Sequence, residues 1–392
     1  MNPAPQTERV IDLCAPSTHM DGCYEIYKWM REQPGLYRDP VNNLYAVTRY
    51  DDIKAISRDS ATFTSTEGNR PGMPPEPNFI NMDGHDHQVR RALVADWFTP
   101  RRIRALEDHI REVVIGLIDG ALQKGDVCFI DALAGKVPLR LIGEMLGYPL
   151  EDLDQLAAWL DVYVQGGCGA DYVTEEINMA FMEFTAYHLM AVAQRQEVRT
   201  EDLISVWMHA LVDGEPLDEE EILFEHTLIL VGGAESTRNA ISGGMWELLQ
   251  HPEQFAWLKE HPEGIPAAVE EFVRWTSPFI SMSRTVTKDT NFRGQDLQED
   301  DEVLMIYPAA NRDPDAFPDP ESFNIRREWP NKPVAFGYGA HHCLGAALAR
   351  MEIRVVLEEL MKRVDSIELT GPVTHKPSSF IRGMTRMPVR VR

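Results

Sequence analysis

The chain has 392 residues, 44% hydrophobic and 26% charged, enough to bury a sizeable core and a cofactor within it. Its 38 basic and 62 acidic residues give a net charge of −24, which disfavours non-specific binding to nucleic acid or anionic lipid. The opening MNPAPQTERVIDLC is polar, and no run approaches the ~18 to 20 apolar residues that span a bilayer, so a cytoplasmic protein without a membrane span is expected.

In chain order, the alternating NLYAVTRY (Asn43 to Tyr50) predicts a strand. The Pro-rich RPGMPPEPNF (Arg70 to Phe79) predicts an ordered loop. Apolar residues at three- and four-residue spacing predict helices over Pro100 to Leu122, Glu151 to Leu160, Thr174 to Ala193 and Asp218 to Leu249. Val303 to Tyr307 reads as a strand, NRDPDAFPDPESF (Asn311 to Phe323) as a second ordered loop, Leu344 to Val364 as a helix and MPVRVR as a final strand. The fold class is therefore mainly α with a small β-sheet region. No linker, low-complexity tract or internal repeat marks a boundary, so residues 1–392 are expected to form a single domain.

The cysteines Cys14, Cys23, Cys128, Cys168 and Cys343 are few, odd in number and without a CxxC, which indicates neither a disulfide framework nor a structural zinc site. Four read as small hydrophobes. Cys343 stands apart because of its surroundings, VAFGYGAHHCLGAALAR (Val334 to Arg350). Gly337 and Gly339 permit tight turns close to a flat ligand, and Cys343 falls where a helix begins, so amides and dipole would favour a thiolate. Gly345 removes a side chain where a planar group would pack. The bland alternative is a buried cysteine beside a glycine turn.

Other stretches carry patterns of their own. Glu271 and Arg274 in AAVEEFVRWTSP lie three apart on one helix face, as a solvated ion pair also would. Gly232 and Gly233 interrupt the helical pattern of LILVGGAESTRNAISGGMWELL at a cost of about 2 kcal/mol, which predicts a local opening or close approach to a ligand, or else a packing pair. In DGHDHQVRRALVADWFTP, His87 and Arg91 are four apart and share a face.

Phe336-Gly337-x-Gly339-x-His341-x-Cys343-x-Gly345 resembles the haem-binding signature of the cytochrome P-450 monooxygenases. The resemblance implies the cytochrome P-450 fold, with haem b between a long oxygen-side helix and the helix of the Cys loop. It implies Cys343 as the axial thiolate, whose electron donation favours O–O cleavage, and His341 as a propionate partner. His342 would be a surface or packing residue. By the same resemblance, Glu271, Arg274 and Arg327 of ESFNIRRE form a buried triad bracing the Cys loop, with Asn324 where the family often has Asp. His87, Arg91 and Arg284 of SMSRTVT would hold the propionates with His341, leaving His85 as a bland neighbour.

Glu235, Ser236 and Thr237 resemble the family's oxygen-activating acid and alcohol. There a widened helix turn accommodates dioxygen, the hydroxyl hydrogen-bonds it, and the acid connects to solvent protons. Ser236 stands where threonine is usual. The resemblance places substrate-lining residues in Pro71 to Asn78, Val164 to Val173, Leu230 to Ala234, Pro278 to Met282 and Phe380 to Met384. The runs ESTRNAISGG and FIRGMTRMPV are similar to actinobacterial oxidases of sterol side chains; terpenoid, polyketide and fatty-acyl substrates are alternatives. No flavin, nicotinamide or cluster motif accompanies the signature, so ferredoxin and ferredoxin reductase would deliver NAD(P)H-derived electrons, with Arg101, Arg102, Arg104 and Arg350 as a docking patch. The implied reaction is hydroxylation of a C–H bond with O2. A peroxide-driven haem-thiolate enzyme and a haem-based sensor are the alternatives.

Overall fold

The computed structural model describes residues 9–197 and 199–392; Met1 to Glu8 of the polar opening lie outside the described residues. Near the N-terminus, α1 (Cys23–Arg31) precedes the hairpin β1 (Tyr37–Asp39) and β2 (Leu44–Val47), then α2 (Tyr50–Arg58) and β3 (Phe63–Thr64). Helices follow: α3 (Gly84–Ala95), α4 (Pro100–Ala105) and α5 (Glu107–Lys124), then β4 (Asp126–Cys128) and α6 (Lys136–Leu146). Next come α7 (Leu153–Tyr163), α8 (Glu175–Glu197), α9 (Leu203–Met208) and the hairpin β5 (Leu211–Val212) and β6 (Glu215–Pro216).

The longest helix, α10 (Glu219–Gln250), leads to α11 (Pro252–Glu260) and α12 (Ile265–Thr276). Strands β7 (Ser281–Val286), β8 (Thr290–Phe292), β9 (Gln295–Leu297) and β10 (Glu302–Ile306) come next, followed by α13 (Tyr307–Ala310) and α14 (Ala346–Arg363). The chain closes with β11 (Ile367–Leu369), β12 (Thr374–His375), β13 (Met384–Arg386) and β14 (Pro388–Val391).

Helix α10 runs through the main core and packs against α6, α12 and α14. Its start is fixed by a capping box: Asp218 accepts from the Glu221 amide at 2.8 Å and Glu221 accepts from the Asp218 amide at 2.9 Å. Three glutamates in its first turn complement the helix dipole. The larger sheet has the order β1-β2-β10-β7-β3, with β2 and β10 parallel and β10 and β7 antiparallel, and carries its own apolar cluster. Strand β14 lies between β11 and β4 in the smaller sheet.

Several expectations shift at their edges. The predicted helix Pro100 to Leu122 is two helices meeting at Leu106, which caps the end of α4 and the start of α5. The predicted strand Asn43 to Tyr50 stops at Val47; the Tyr50 amide donates to Asp313 at 2.9 Å and begins α2. No opening forms at Gly232 and Gly233, because α10 continues unbroken; a Cβ on Gly233 would lie 2.8 Å from Cγ1 of Ile142, so that glycine serves helix packing. Both Pro-rich stretches are irregular. Among the described residues no helix is long and apolar enough to cross a membrane, and every cysteine is free.

Candidate active site

The loop before α14 is shaped by its glycines. Gly337 and Gly339 adopt positive φ, 67° and 71°, and a Cβ on Gly339 would sit 2.3 Å from the Ser57 carbonyl oxygen. The Cys343 amide donates to the Phe336 carbonyl at 2.8 Å, closing the loop, while the Val334 amide donates to Asn311 Oδ1 at 2.8 Å. Cys343 opens onto an internal cavity. It precedes the first residue of α14 by three positions, with Gly345 as N-cap. Burial raises the thiol above its ordinary range, against the opposing pull of the Gly345 and Ala346 amides and the Arg91 and Arg350 charges. The helix start expected to favour a thiolate is thus outweighed by desolvation in the protein alone.

The cavity, its mouth included, encloses about 1660 Å³. Part of that space is open to solvent at the mouth, and the wall is largely apolar. Phe336, Leu344 and Leu348 form its Cys343 side, and Gly232, Ser236, Thr237 and Ala240 of α10 face it. Nothing lies within 4 Å of a Cβ built on Gly345, which leaves open space beside the cysteine.

One edge of the site gathers donors. His87 of α3 is buried, its Nε2 has no hydrogen-bond partner, and its ring centroid lies 4.3 Å from that of His341. Burial, then the His341 and Arg91 charges, push its pKa down to about 4, so the ring is neutral. His341 Nε2 is 3.2 Å from Asp83 Oδ1 and 3.2 Å from Ser65 Oγ. Burial raises the Asp83 pKa, but hydrogen bonds from His341, the Ser65 amide and Thr64 outweigh it and hold the carboxyl well below its usual range. Arg284 of β7 is buried and lines the cavity, with Nη1 donating to the Ser283 carbonyl at 2.6 Å. Half-buried Arg91 donates from Nη2 to the His342 carbonyl at 2.6 Å. An orphaned imidazole nitrogen and two guanidiniums beside a thiol-floored slot fit a haem and its two propionates.

Across the cavity, Ser236 Oγ donates to the Gly232 carbonyl at 2.7 Å, and buried Thr237 lines the wall. Glu235 lies behind that wall. Its carboxylate accepts from Arg238 Nη1 at 2.9 Å and Lys376 Nζ at 3.1 Å, and Lys376 also donates to Asp161 at 2.9 Å. The Asp161 side chain is 40% exposed, so the buried charges connect to the surface there.

Glu271, Arg274 and Arg327 meet as a buried triad, and the Asn324 amide adds a 2.7 Å bond to Glu271. Arg274 also donates to the carbonyls of Asn311 at 3.0 Å and Pro320 at 2.8 Å, and Asn311 holds Val334. The triad is thereby one residue removed from the Cys loop.

Sequence reasoning missed Asp83, Lys376 and Asp161, whose partners lie far along the chain. Of the expected lining, Glu76, Val231, Gly232, Gly233, Pro278, Phe279, Met282 and Phe380 reach the cavity. Val164 to Val173 do not; Tyr163, one residue earlier, takes that wall. His85 pairs with Asp213 on the exterior. Arg101, Arg102 and Arg104 are exposed on α4, which packs on α14, whereas Arg350 is engaged by Glu270 at 3.1 Å and lies 4.3 Å over the Phe336 ring.

Comparison with known proteins agrees with this geometry. The cytochrome P-450 family model matches residues 265–385. A steroid C26-monooxygenase of Mycolicibacterium smegmatis is 37% identical, over 97% of this chain and 95% of its own length. The polyketide biosynthesis cytochrome P-450 PksS of Bacillus subtilis is 33% identical, over 88% of each chain. Among solved structures, a Mycobacterium marinum cytochrome P-450 in complex with pseudoionone matches with a TM-score of 0.88 at 30% identity, covering 99% of this chain and 100% of that one. A Bacillus megaterium protein in complex with testosterone matches with a TM-score of 0.86 at 30% identity, covering 94% and 97%.

The chain belongs to the cytochrome P-450 family. It is a haem-dependent monooxygenase that hydroxylates hydrophobic small molecules.

Proposed function

We propose that this monooxygenase hydroxylates a steroid, with the side chain as the reacting end. The observation that carries the reading is the near full-length similarity to a steroid C26-monooxygenase, and the apolar cavity lined by Phe79, Leu228, Val231, Phe279 and Phe380 supports it. Cys343 would hold the iron of a haem b through its sulfur, and His87, Arg91, Arg284 and His341 would hold its propionates, with Asp83 orienting His341. When bound, the haem supplies activation of O2, with one oxygen atom going to a C–H bond and the other to water.

The residues do the rest. Gly345 leaves room for a flat group beside the thiolate. The Ser236 hydroxyl and Thr237 stand on the opposite wall as donors, and Glu235 relays protons from solvent through the Arg238, Lys376 and Asp161 cluster. The triad of Glu271, Arg274 and Arg327 keeps the loop in register. Electrons come from a ferredoxin and its reductase, which dock at Arg101, Arg102 and Arg104, and residues 1–392 act as one domain in the cytoplasm.

The test is a titration of the ferric Soret band with steroids, terpenoids, polyketides and fatty acyl compounds, then product analysis with a ferredoxin system. A spin-state shift by steroids and a side-chain alcohol as product are expected. Silence toward steroids with a response to another class overturns the substrate assignment. Product from peroxide but not from the ferredoxin system overturns the electron source.

A further inference from the structure

Arg70 places a guanidinium in a cavity whose wall is otherwise largely apolar. Its loop is anchored to β7, where the Ser283 amide donates to the Asn69 carbonyl at 2.9 Å and Ser283 Oγ to the Gly68 carbonyl at 3.1 Å. The guanidinium lies 5.4 Å from the Phe380 ring centroid and 6.0 Å from that of Tyr163. It is paired with Glu76 through Nη2 and also lies against the Tyr163 hydroxyl. A guanidinium carries five N–H donors, so most of its donor capacity is uncommitted.

Glu76, by contrast, has most of its acceptor capacity in use. Beyond Arg70, it accepts from the Tyr163 hydroxyl at 3.1 Å and from Asn78 Nδ2 at 3.2 Å. Tyr163 is neutral, burial and the Glu76 charge having pushed it up to about 12 against the pull of Arg70. The cluster is therefore charge-balanced, with more spare donors than spare acceptors. None of the groups around Arg70 is among those that touch or bias Cys343, namely Phe336, Gly345, Ala346, Arg91 and Arg350.

We infer that Arg70 hydrogen-bonds an uncharged oxygen, a ketone or hydroxyl, at the end of the substrate remote from the bond that is hydroxylated. A carboxylate at that position meets the Glu76 charge, which the guanidinium already neutralises. A hydrocarbon end fills the cavity but strips water from donors it cannot satisfy, and a site built around a polar group rejects analogues lacking it. The inference rests on reading this cavity as the substrate site and makes Arg70 a specificity-determining residue.

The experiment is calorimetric titration of the haem-loaded protein with two probe sets. One is a 3-keto steroid and its 3-deoxy counterpart; the other is a long-chain methyl ketone, the alkane of equal length and the matching carboxylate. The oxygenated member of each pair is expected to bind roughly 10- to 100-fold more tightly than the hydrocarbon. Arg70→Met should bring that ratio to about threefold or less without weakening the hydrocarbon, and the carbonyl spectrum of the reduced variant reports intact thiolate ligation. Glu76→Gln should free the guanidinium and raise affinity for the carboxylate roughly tenfold, a gain that a misfolded variant could not give.

Equal affinities within each pair, a ratio that survives Arg70→Met, or a carboxylate already tightest in the unmodified protein overturns the inference. Discrimination within the methyl ketone set while both steroids fail to bind upholds the anchor and overturns the steroid assignment. Binding of both steroids without discrimination does the reverse.

Discussion

Arg274 holds Glu271 through two parallel bonds, Nε to Oε2 at 2.8 Å and Nη2 to Oε1 at 2.7 Å, and both side chains are fully buried. Arg327 adds Nε to the same Oε2 at 3.1 Å, so one carboxylate bridges two guanidiniums. Such a group is costly to remove singly because its partners stay buried and charged. Glu271→Gln should lower stability by about 3 to 5 kcal/mol and yield protein with little haem. Urea unfolding and the haem-to-protein absorbance ratio measure the two effects; a midpoint within error of the unmodified protein refutes the bracing role.

Gly339 has φ of 71° and its missing Cβ would stand 2.3 Å from the Ser57 carbonyl oxygen. Alanine there meets backbone strain and a contact with main chain that no rotamer relieves. Gly339→Ala should cost about 2 kcal/mol or more and loosen the loop that presents Cys343. Gly345→Ala, whose Cβ meets nothing within 4 Å, should leave the apo fold within about 0.5 kcal/mol of its original stability. Comparable losses in both variants would refute the distinction.

The Cys343 loop and the long helix were legible in the sequence because their signals are local: glycines at fixed offsets around the cysteine, and three- and four-residue apolar spacing from Asp218 to Leu249. The triad was legible only through resemblance, since nothing local brings Arg327 to Glu271 across 56 residues. Asp83, 258 positions from its partner His341, and Lys376, 141 from Glu235, had no readable signal. The break at Leu106 was missed because apolar spacing runs on through a short interruption. The glycine pair in α10 left two readings open because a gap for a neighbour and a gap for a ligand look identical in one chain; Gly233 clears Ile142, while Gly232 meets nothing within 4 Å and lines the cavity.

His188 and His226 stack with centroids 4.5 Å apart in the core, far from any surface. Tyr148 meets His226 Nε2 at 2.8 Å, Phe184 stacks on His226 at 5.6 Å, and Arg195 lends a positive charge. Burial and then Arg195 push His188 down to about 4 from an ordinary 6.5. A depressed histidine gives stability that is present above pH 6.5 and lost as pH falls toward 4, at most about 3 kcal/mol for this one. His188→Phe keeps the stacking and removes two unpartnered ring nitrogens, so neutral stability should hold or rise while the acid slope weakens by up to one proton. Urea midpoints measured from pH 4 to 7 test this, and an unchanged slope refutes it.

Ser236 donates its hydroxyl to the Gly232 carbonyl at 2.7 Å, a bond made within one helix turn at the cavity wall. Alanine is the better helix former and such back-bonding does little for a helix, so Ser236→Ala should change stability by no more than about 0.5 kcal/mol. Any functional effect then reports chemistry and not folding. In the proposed mechanism the Ser236 O–H would turn from the Gly232 carbonyl to serve the oxygen chemistry, so on its loss the share of electrons released as peroxide should rise roughly severalfold while electron uptake persists. Thr237→Ala is the paired measurement, because Thr237 also lines the cavity and makes no side-chain hydrogen bond among the described residues. Unchanged coupling in Ser236→Ala with loss in Thr237→Ala would move the alcohol's role one residue along the helix; loss in neither would assign it to water.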